Sequence, residues 1–282
     1  MDTEKLNSLK LSAANVRKMA LEAIHAAKAG HPGGALSSAD ILTYLYKAEM
    51  NVNNKNPKDP DRDRFVLSKG HASAGLYGIL AECGFIPKED IKTFRNAESY
   101  LQGHPDMKGV PGVDMSTGSL GQGISAACGM ALAAKVDKKD YRVYTILGDG
   151  ECEEGQVWEA AMFAAHYNLD NLTAFLDFNG LQIDGDVREV MNPTPFDKKF
   201  EAFNWNVIVI DGHSFEEIEK AVNEAKMTKG KPTMIIANTI KGKGVSFMEN
   251  QAGWHGVAPN DEQYAQAAGE LDEYIKSLGG EC

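Results

Sequence analysis

Apolar positions near the start of the chain recur with the period of an α-helix. Within residues 4–28 they lie near one stripe, which predicts an amphipathic helix. The glycines and proline of residues 30–34 predict the end of this helix. A second helix is predicted over residues 37–50, and the polar stretch 51–63, rich in Asn, Pro, Asp and Lys, predicts a surface loop.

Short apolar runs then alternate with helical patterns. Apolar runs of strand length separated by helices predict an α/β fold, a mostly parallel sheet with helices on both faces. No internal repeat or linker divides the chain, so a single domain over residues 1–282 is predicted. Strands are predicted at 64–67, 143–147, 173–178, 207–210 and 234–238, helices after residue 71 and at 120–135, 153–167, 215–226 and 261–278, and a long loop at 95–118.

Composition restricts the classes of partner. The 282 residues are 43% hydrophobic and 24% charged, and the net charge of −11 gives no overall field for nucleic acid or anionic lipid. An anionic cofactor therefore needs local help from a metal, backbone N–H groups or histidines. The four cysteines, Cys83, Cys128, Cys152 and Cys282, form no CxxC pair, which argues against zinc. The absence of a signal-type N-terminus and of membrane-length apolar runs predicts a cytoplasmic chain.

A glycine-rich turn follows the strand predicted at 143–147. Gly148-Asp149-Gly150 lies between this strand and a helical pattern, the arrangement in which backbone N–H groups meet phosphate. A carboxylate facing a diphosphate requires a cation such as Mg²⁺ between them. Asn179 ends the next strand, thirty positions after Asp149. The motif alone is equally well a tight turn, but the second polar strand end favours a metal site.

This pair of motifs resembles the thiamine diphosphate signature. The resemblance implies that Asp149, Asn179 and the backbone carbonyl of Leu181 bind Mg²⁺, or another divalent ion such as Ca²⁺ or Mn²⁺. It also implies that Asn179 and the backbone of Gly150 contact the cofactor's diphosphate.

Further motifs resemble the transketolase family and its pyrophosphate-type domain. They occur in the family's order from residue 30 to residue 256, nearly the whole chain. The motifs are Gly30-His31-Pro32-Gly33, the run from Arg64 to His71, Gly103-His104-Pro105, the run from Thr117 to Gly123, Glu154-Gly155 and Trp254-His255-Gly256.

The histidines in these loops gain their roles from the resemblance, since a lone histidine is more often structural. His71 and His255 are implied to neutralise the diphosphate or bind substrate, and His31 and His104 to contact the donor sugar near the reacting carbon. A neutral imidazole suits proton transfer from hydroxyl groups. Structural or surface roles are expected for His25, His166 and His213.

The resemblance implies three more positions that line the cofactor, and it leaves two alternatives for each of several charged residues. Gly118, Leu120 and Ile183 are implied to line the cofactor. Glu154 is either a first-turn helix acid or, by resemblance, a catalytic residue in a hydrogen-bond network at a subunit interface. The lysines Lys69, Lys241 and Lys243 are either solvated or, in the Lys-Gly-Lys-Gly loop, shield phosphate.

The implied activity is transfer of a two-carbon ketol unit from a ketose phosphate to an aldose phosphate, with the cofactor doing the hard chemistry. Transketolases commonly continue into an aminopyrimidine-binding domain and a third domain. The resemblance therefore implies a C-terminal partner subunit carrying these parts, in a heterotetramer with two copies of each chain. The alternatives are part of a deoxyxylulose phosphate synthase, an α-subunit of a 2-oxo acid dehydrogenase, and a non-catalytic regulatory module.

Overall fold

The computed structural model describes residues 1–280, so Cys282 lies outside the described residues. The strands are β1 (Arg64–Leu67), β2 (Val143–Gly148), β3 (Leu172–Phe178), β4 (Leu181–Gln182), β5 (Gly185–Asp186), β6 (Asn206–Asp211) and β7 (Thr233–Asn238). Five of them form a sheet of order β1-β2-β3-β7-β6, and all four strand pairs are parallel. A two-stranded hairpin, β4 and β5, follows β3.

Ten α-helices are found in the described part of the chain. They are α1 (Thr3–Ala27), α2 (Pro32–Ser37), α3 (Ala39–Tyr44), α4 (Ser73–Glu82), α5 (Gln122–Val136), α6 (Gly155–His166), α7 (Val187–Met191), α8 (Phe196–Ala202), α9 (Phe215–Met227) and α10 (Asp261–Ser277). A π-helical turn, Leu45–Glu49, continues α3. Turns of 3₁₀-helix lie at Gly70–Ala72, Lys88–Thr93, Gly150–Glu153 and Ala252–Trp254. None of the helices in residues 1–280 combines the length and apolar character needed to cross a bilayer.

Alternate side chains of the central strands enter two separate cores. In β2, Tyr144 and Ile146 pack with apolar residues of α1, α3, α4 and α9. Val143 and Leu147 point the other way and pack with α5, α6 and α8. Because successive residues of a strand face opposite sides, the sheet is buried on both faces. The predicted α/β fold, a mostly parallel sheet with helices on both faces, is confirmed.

The predicted strands and long helices are present, with ends within about two residues of the prediction. The loop at 95–118 contains no helix or strand. Gly279, with a φ of +80°, and the bond from Gly280 N–H to the carbonyl of Ile275 end α10.

Two expectations near the glycine-rich segments need correction. Residues 30–34 separate α1 from the next helix only briefly, because α2 begins at Pro32. Proline fits a helix's first position, where no N–H partner is needed. After Gly148-Asp149-Gly150 the chain first makes the 3₁₀ turn Gly150–Glu153, so α6 begins only at Gly155. The hairpin and the short helices α7 and α8 were not predicted.

Candidate functional site

The carboxyl ends of β2 and β3 lie side by side, and they bring Asp149 and Asn179 together. The parallel register pairs Gly148 with Asp177. The N–H of Gly180 donates to Oδ2 of Asp149 (2.6 Å), and the N–H of Gly150 donates to Oδ1 (2.8 Å). The Asp149 side chain thus spans from its own turn to the turn that carries Asn179.

The three predicted metal-binding residues offer only oxygen. Oδ1 of Asn179 accepts the N–H of Leu181 (3.1 Å), and the carbonyl of Leu181 accepts from Nζ of Lys241 (2.9 Å). Each of these oxygens keeps a second lone pair, and such hard ligands suit Mg²⁺ or Ca²⁺. Within residues 1–280, no three His, Cys, Asp or Glu side chains are grouped to hold a metal. Of the three residues predicted to bind metal, only Asp149 has a carboxylate, imidazole or thiol side chain. The predicted site therefore relies on one carboxylate, one amide oxygen and one backbone carbonyl.

Asp149 is buried, with 3% of its surface exposed. Burial raises the pKa of its carboxyl group to about 6, and the nearby Asp177 carboxylate adds to the effect. Backbone N–H donors from Gly150 and Gly180 oppose this change only in part. A buried carboxylate that is hard to ionise is a favourable place for a bound cation, because the cation offsets the unfavourable charge.

A cavity of about 250 Å³ opens over these two strand ends. It contains most of the positions predicted from the sequence. Those that line it are His31, His71, Gly118, Leu120, Asp149, Gly150, Asn179, Leu181, Ile183 and His255.

Two predicted residues lie beside the cavity rather than in its lining. His104 packs behind Gly118, where an added Cβ would be 3.0 Å from the imidazole ring. Glu154 is exposed and precedes α6 without a capping hydrogen bond from its side chain. Its Cβ would lie 3.0 Å from a Cβ added to Gly121, so it lies next to the loop that carries Leu120.

Three of the predicted histidines form a triangle in the cavity. The ring centroid of His31 is 5.0 Å from that of His71 and 5.5 Å from that of His255, and the other two are 5.2 Å apart. Burial lowers the pKa of His31 to about 4, with Arg95 the next cause, and lowers that of His255 to about 3, with Lys241 next. All three rings are neutral at pH 7, since burial, followed by Lys69, also lowers the pKa of His71.

His104 and His31 share a positively charged neighbour. Burial and then Arg95 lower the pKa of His104. Nδ1 of His31 is buried and has no hydrogen-bond partner within residues 1–280. An unpaired buried nitrogen in a cavity indicates that a bound molecule completes its hydrogen bonding.

The interpretation of Lys69 and Lys241 as solvated lysines is wrong, since each is 2% exposed. Nζ of Lys69 contacts Oδ2 of Asp177 (2.5 Å) and the carbonyl of Gly34 (2.7 Å). Nζ of Lys241 lies 2.9 Å from Nδ1 of His255, and burial lowers its pKa to about 8. Lys243 is partly exposed and lies 3.4 Å from Glu249.

Two buried carboxylates of the site were missed from the sequence. Asp177 accepts from Lys69, Ser37 (2.6 Å) and Thr239. Burial alone would raise the pKa of Asp177, but the Lys69 ammonium lowers it. A charged residue within the apolar strand 172–178 was the available signal. The second carboxylate, Glu151, carries no such signal, because two further glutamates follow in the same turn.

The remaining histidines lie in the structural or surface positions expected of them, and His166 is exposed. His25 stacks on Tyr264 with a centroid distance of 4.1 Å. His166 contacts the ring of Tyr167 at the end of α6. Nδ1 of His213 lies 2.7 Å from Asp40, and its Nε2 accepts the N–H of Ile240.

Comparisons with protein families and with individual proteins both match this chain to transketolases. The family described as "Transketolase, thiamine diphosphate binding domain" matches residues 8–272. A Clostridium relative named 6-deoxy-6-sulfo-D-fructose transketolase subunit SqwG is 48% identical over 258 residues, 92% of this chain and 94% of the relative. A Phocaeicola vulgatus relative, named as a subunit of an apulose-4-phosphate transketolase, is 44% identical over 274 residues, 97% of each.

Longer transketolases are matched over less than half their length. Human transketolase is 43% identical over 277 residues, which are 98% of this chain but 44% of the human protein. The crystal structure of transketolase from Campylobacter jejuni superposes with a TM-score of 0.89 at 36% identity. That match covers 98% of this chain and 43% of the other.

Proposed function

The chain belongs to the transketolase family of thiamine diphosphate-binding domains, and from this premise we propose that it is the N-terminal subunit of a split transketolase. Residues 1–282 act as a single cofactor-binding domain. The complete enzyme transfers a two-carbon ketol unit from a ketose phosphate, such as xylulose 5-phosphate, to an aldose phosphate, such as ribose 5-phosphate. One observation carries the proposal: the carboxylate of Asp149 bonds to the turn that carries Asn179, and both residues line one cavity with three neutral histidines.

The need for a partner is supported by the extent of the matches. The chain spans 44% of human transketolase but 94% and 97% of two relatives that are named as subunits. We infer that a C-terminal subunit supplies the aminopyrimidine-binding domain and that two copies of each chain assemble. The cofactor then lies where the two kinds of chain meet, and the exposed Ile183 and Glu154 face that junction.

The donor atoms of the cavity fit thiamine diphosphate with a divalent ion. Asp149, Asn179 and the carbonyl of Leu181 hold Mg²⁺ or a similar ion. Gly150 has no side chain, so the diphosphate can approach the backbone there, and Gly118 and Leu120 line the cofactor. When bound, the cofactor supplies an electron sink for the two-carbon unit. Lys241, close to both the Leu181 carbonyl and His255, adds positive charge beside the phosphates.

The neutral imidazoles supply proton transfer and orientation. His71 and His255 line the cavity, where they would neutralise the diphosphate or bind substrate, and the orphaned Nδ1 of His31 is available to a sugar hydroxyl. His104, behind Gly118, extends this wall. A histidine that is unprotonated at pH 7 keeps one ring nitrogen free to accept a hydrogen bond from a hydroxyl group.

Three measurements test this proposal. The purified chain is assayed for ketol transfer alone and after addition of the chain that carries the missing domains. We expect activity only with both, and full turnover by this chain alone would contradict the split arrangement. Pyruvate serves as the control donor, because its use in place of a ketose phosphate would favour a deoxyxylulose phosphate synthase. Donors with sulfonate in place of phosphate, and apulose 4-phosphate, define the range of sugars, since two relatives are named for such substrates.

A further inference from the structure

Glu151 joins three separate segments around the cavity. Its side chain is buried, with 3% of the residue exposed. Oε1 accepts from the hydroxyl of Ser68 (2.5 Å) and from the N–H of Gly121 (2.9 Å), and Oε2 accepts from the N–H of Gly148 (3.0 Å). A single carboxylate therefore holds the end of β1, the loop before α5 and the end of β2.

Each of the three segments leads directly to residues of the proposed cofactor site. Ser68 is followed by Lys69 and His71, Gly121 follows Leu120, and Gly148 precedes Asp149. The bonds of Glu151 thus set the separation between the loop that lines the cofactor and the turn that holds the metal. The two backbone N–H groups donate to different oxygens of this carboxyl group, so its position is fixed from both sides.

The segments around this carboxylate are closely packed. A Cβ added to Gly123 would lie 2.5 Å from Cα of Ser68, so α5 begins in direct contact with the end of β1. The Ser68 hydroxyl also accepts the N–H of Ile124 (3.2 Å), which ties the same helix to Glu151 through one intermediate group. A change at Glu151 is therefore transmitted to the backbone on both sides of the cavity.

We propose that Glu151 is a positioning residue that fixes the spacing between the Leu120 loop and the Asp149 turn, and so the width of the cofactor site. It acts through Ser68, Gly121 and Gly148. This inference rests on the proposed function only for the identity of the ligand. The three hydrogen bonds of Glu151 are present whatever the ligand is.

The test uses Glu151→Gln in the full chain. A glutamine has the same shape, but whichever way its amide points, its NH₂ group faces one of the two backbone N–H donors. In the orientation that keeps the bonds from Ser68 and Gly121, the NH₂ group faces Gly148, whose N–H then has no acceptor. We expect the amide of Gly148 to lose protection in hydrogen exchange followed by NMR, while the amide of Gly121 keeps it. Unchanged protection of both amides would overturn the proposal.

Binding of thiamine diphosphate with Mg²⁺, measured by calorimetry, gives the second readout. We expect Glu151→Gln to weaken it by about 10- to 100-fold, as is usual when the groups that orient metal ligands are lost. Glu159→Gln, an exposed glutamate on α6 with the same charge change, should bind like the wild type. Equal binding by Glu151→Gln would overturn the positioning role. Absence of binding by the wild-type chain in the presence of the C-terminal subunit, with both amides protected, would contradict the proposed function and leave the three-way contact established.

Two further measurements separate positioning from general destabilisation. Ser68→Ala removes the hydroxyl that donates to Glu151 and accepts from Ile124, but it leaves both backbone N–H bonds to Glu151. It should therefore show a smaller loss of cofactor affinity than Glu151→Gln, even if Glu151→Gln folds poorly. In the assembled enzyme, the KM for the cofactor should rise while kcat at saturating cofactor is retained. A fall in kcat with an unchanged KM for the cofactor would contradict the role proposed for Glu151.

Discussion

Replacement of Asp149 by asparagine tests the centre of the site with a defined magnitude. Burial, with the Asp177 carboxylate next, raises the pKa of Asp149 from 3.8 to about 6. This difference corresponds to about 3 kcal/mol for ionising the buried side chain, since each tenfold change in proton affinity is about 1.4 kcal/mol. This cost is borne by the folded chain itself, and it is separate from the attraction between the carboxylate and a divalent ion, which a neutral amide lacks. We expect Asp149→Asn to weaken Mg²⁺-dependent binding of thiamine diphosphate by at least about 10- to 100-fold, the loss that is usual when even the groups that orient metal ligands are removed.

The pH dependence of cofactor binding gives a second test of the role of Asp149. As the pH falls through about 6, protons compete with the metal for Asp149, so wild-type affinity should fall towards tenfold per pH unit. Asp149→Asn should lack this component. The diphosphate's own protonation contributes equally to both proteins, so the difference between the two profiles isolates the side chain.

Calorimetric titration of cofactor at fixed Mg²⁺, at pH values on either side of 6, is the assay. Asp184→Asn is the matched control, because Asp184 is exposed in the adjacent hairpin and undergoes the same charge change. Stability of each variant is measured in parallel, since the asparagine NH₂ faces one of the N–H donors of Gly150 and Gly180. Equal affinities, or parallel pH profiles for Asp149→Asn and the wild type, would refute the assignment of Asp149 to the metal.

Three more predictions concern the fold around the site. Lys69→Met should lower the free energy of unfolding in urea by about 3–5 kcal/mol, because it leaves Asp177 charged and unpaired. Adding Asp177→Asn should recover part of this loss, and no recovery would contradict the pairing. Gly123→Ala should destabilise the chain by about 1–3 kcal/mol through its contact with Ser68. Gly129→Ala, where nothing lies within 4 Å of the new methyl group, should stabilise the isolated chain by about 0.5–1 kcal/mol, and equal effects would argue against the close approach. By NMR, His31 should titrate near pH 4 and His255 near pH 3. Their lowered pKa values mean that stability falls as the pH drops from about 6.5 towards 4, because the unfolded chain binds protons first; normal titration would contradict their burial.

The elements that could be predicted are those in which local pattern and tertiary packing agree. Every strand of the parallel sheet is a short apolar run; four of the five are buried on both faces, and the edge strand β6 leaves Val209 57% exposed. The polar ends of β2 and β3 then fall at one edge, and this predicted the contact between Asp149 and the turn of Asn179. The missed helix α2 contains Gly33 and Gly34, which disfavour helix locally. A Cβ at Gly33 would lie 2.9 Å from the side chain of Lys241, so tertiary packing favours glycine there over helix propensity.

Buried charges could not be predicted in the same way, because their partners are distant in sequence. Lys69 pairs with Asp177 from 108 positions away, and Ser68 donates to Glu151 across 83 positions. Nothing local distinguishes Lys69 from a solvated lysine, or Glu151 from Glu153. The fold supplies the compensation that makes these side chains stable when buried.

The charges that the fold brings together also bear on why a metal is needed. Around the cavity, Lys69 is balanced by Asp177. Lys241, with its pKa lowered to about 8, is balanced by Asp149, whose pKa is raised to about 6. Burial leaves the histidine triangle of His31, His71 and His255 uncharged at pH 7. The cavity therefore offers a diphosphate many hydrogen-bond donors but little net positive charge. A multiply charged anion in so buried a site needs a further cation, which is why we propose that a divalent ion binds at the free lone pairs of Asp149 and Asn179.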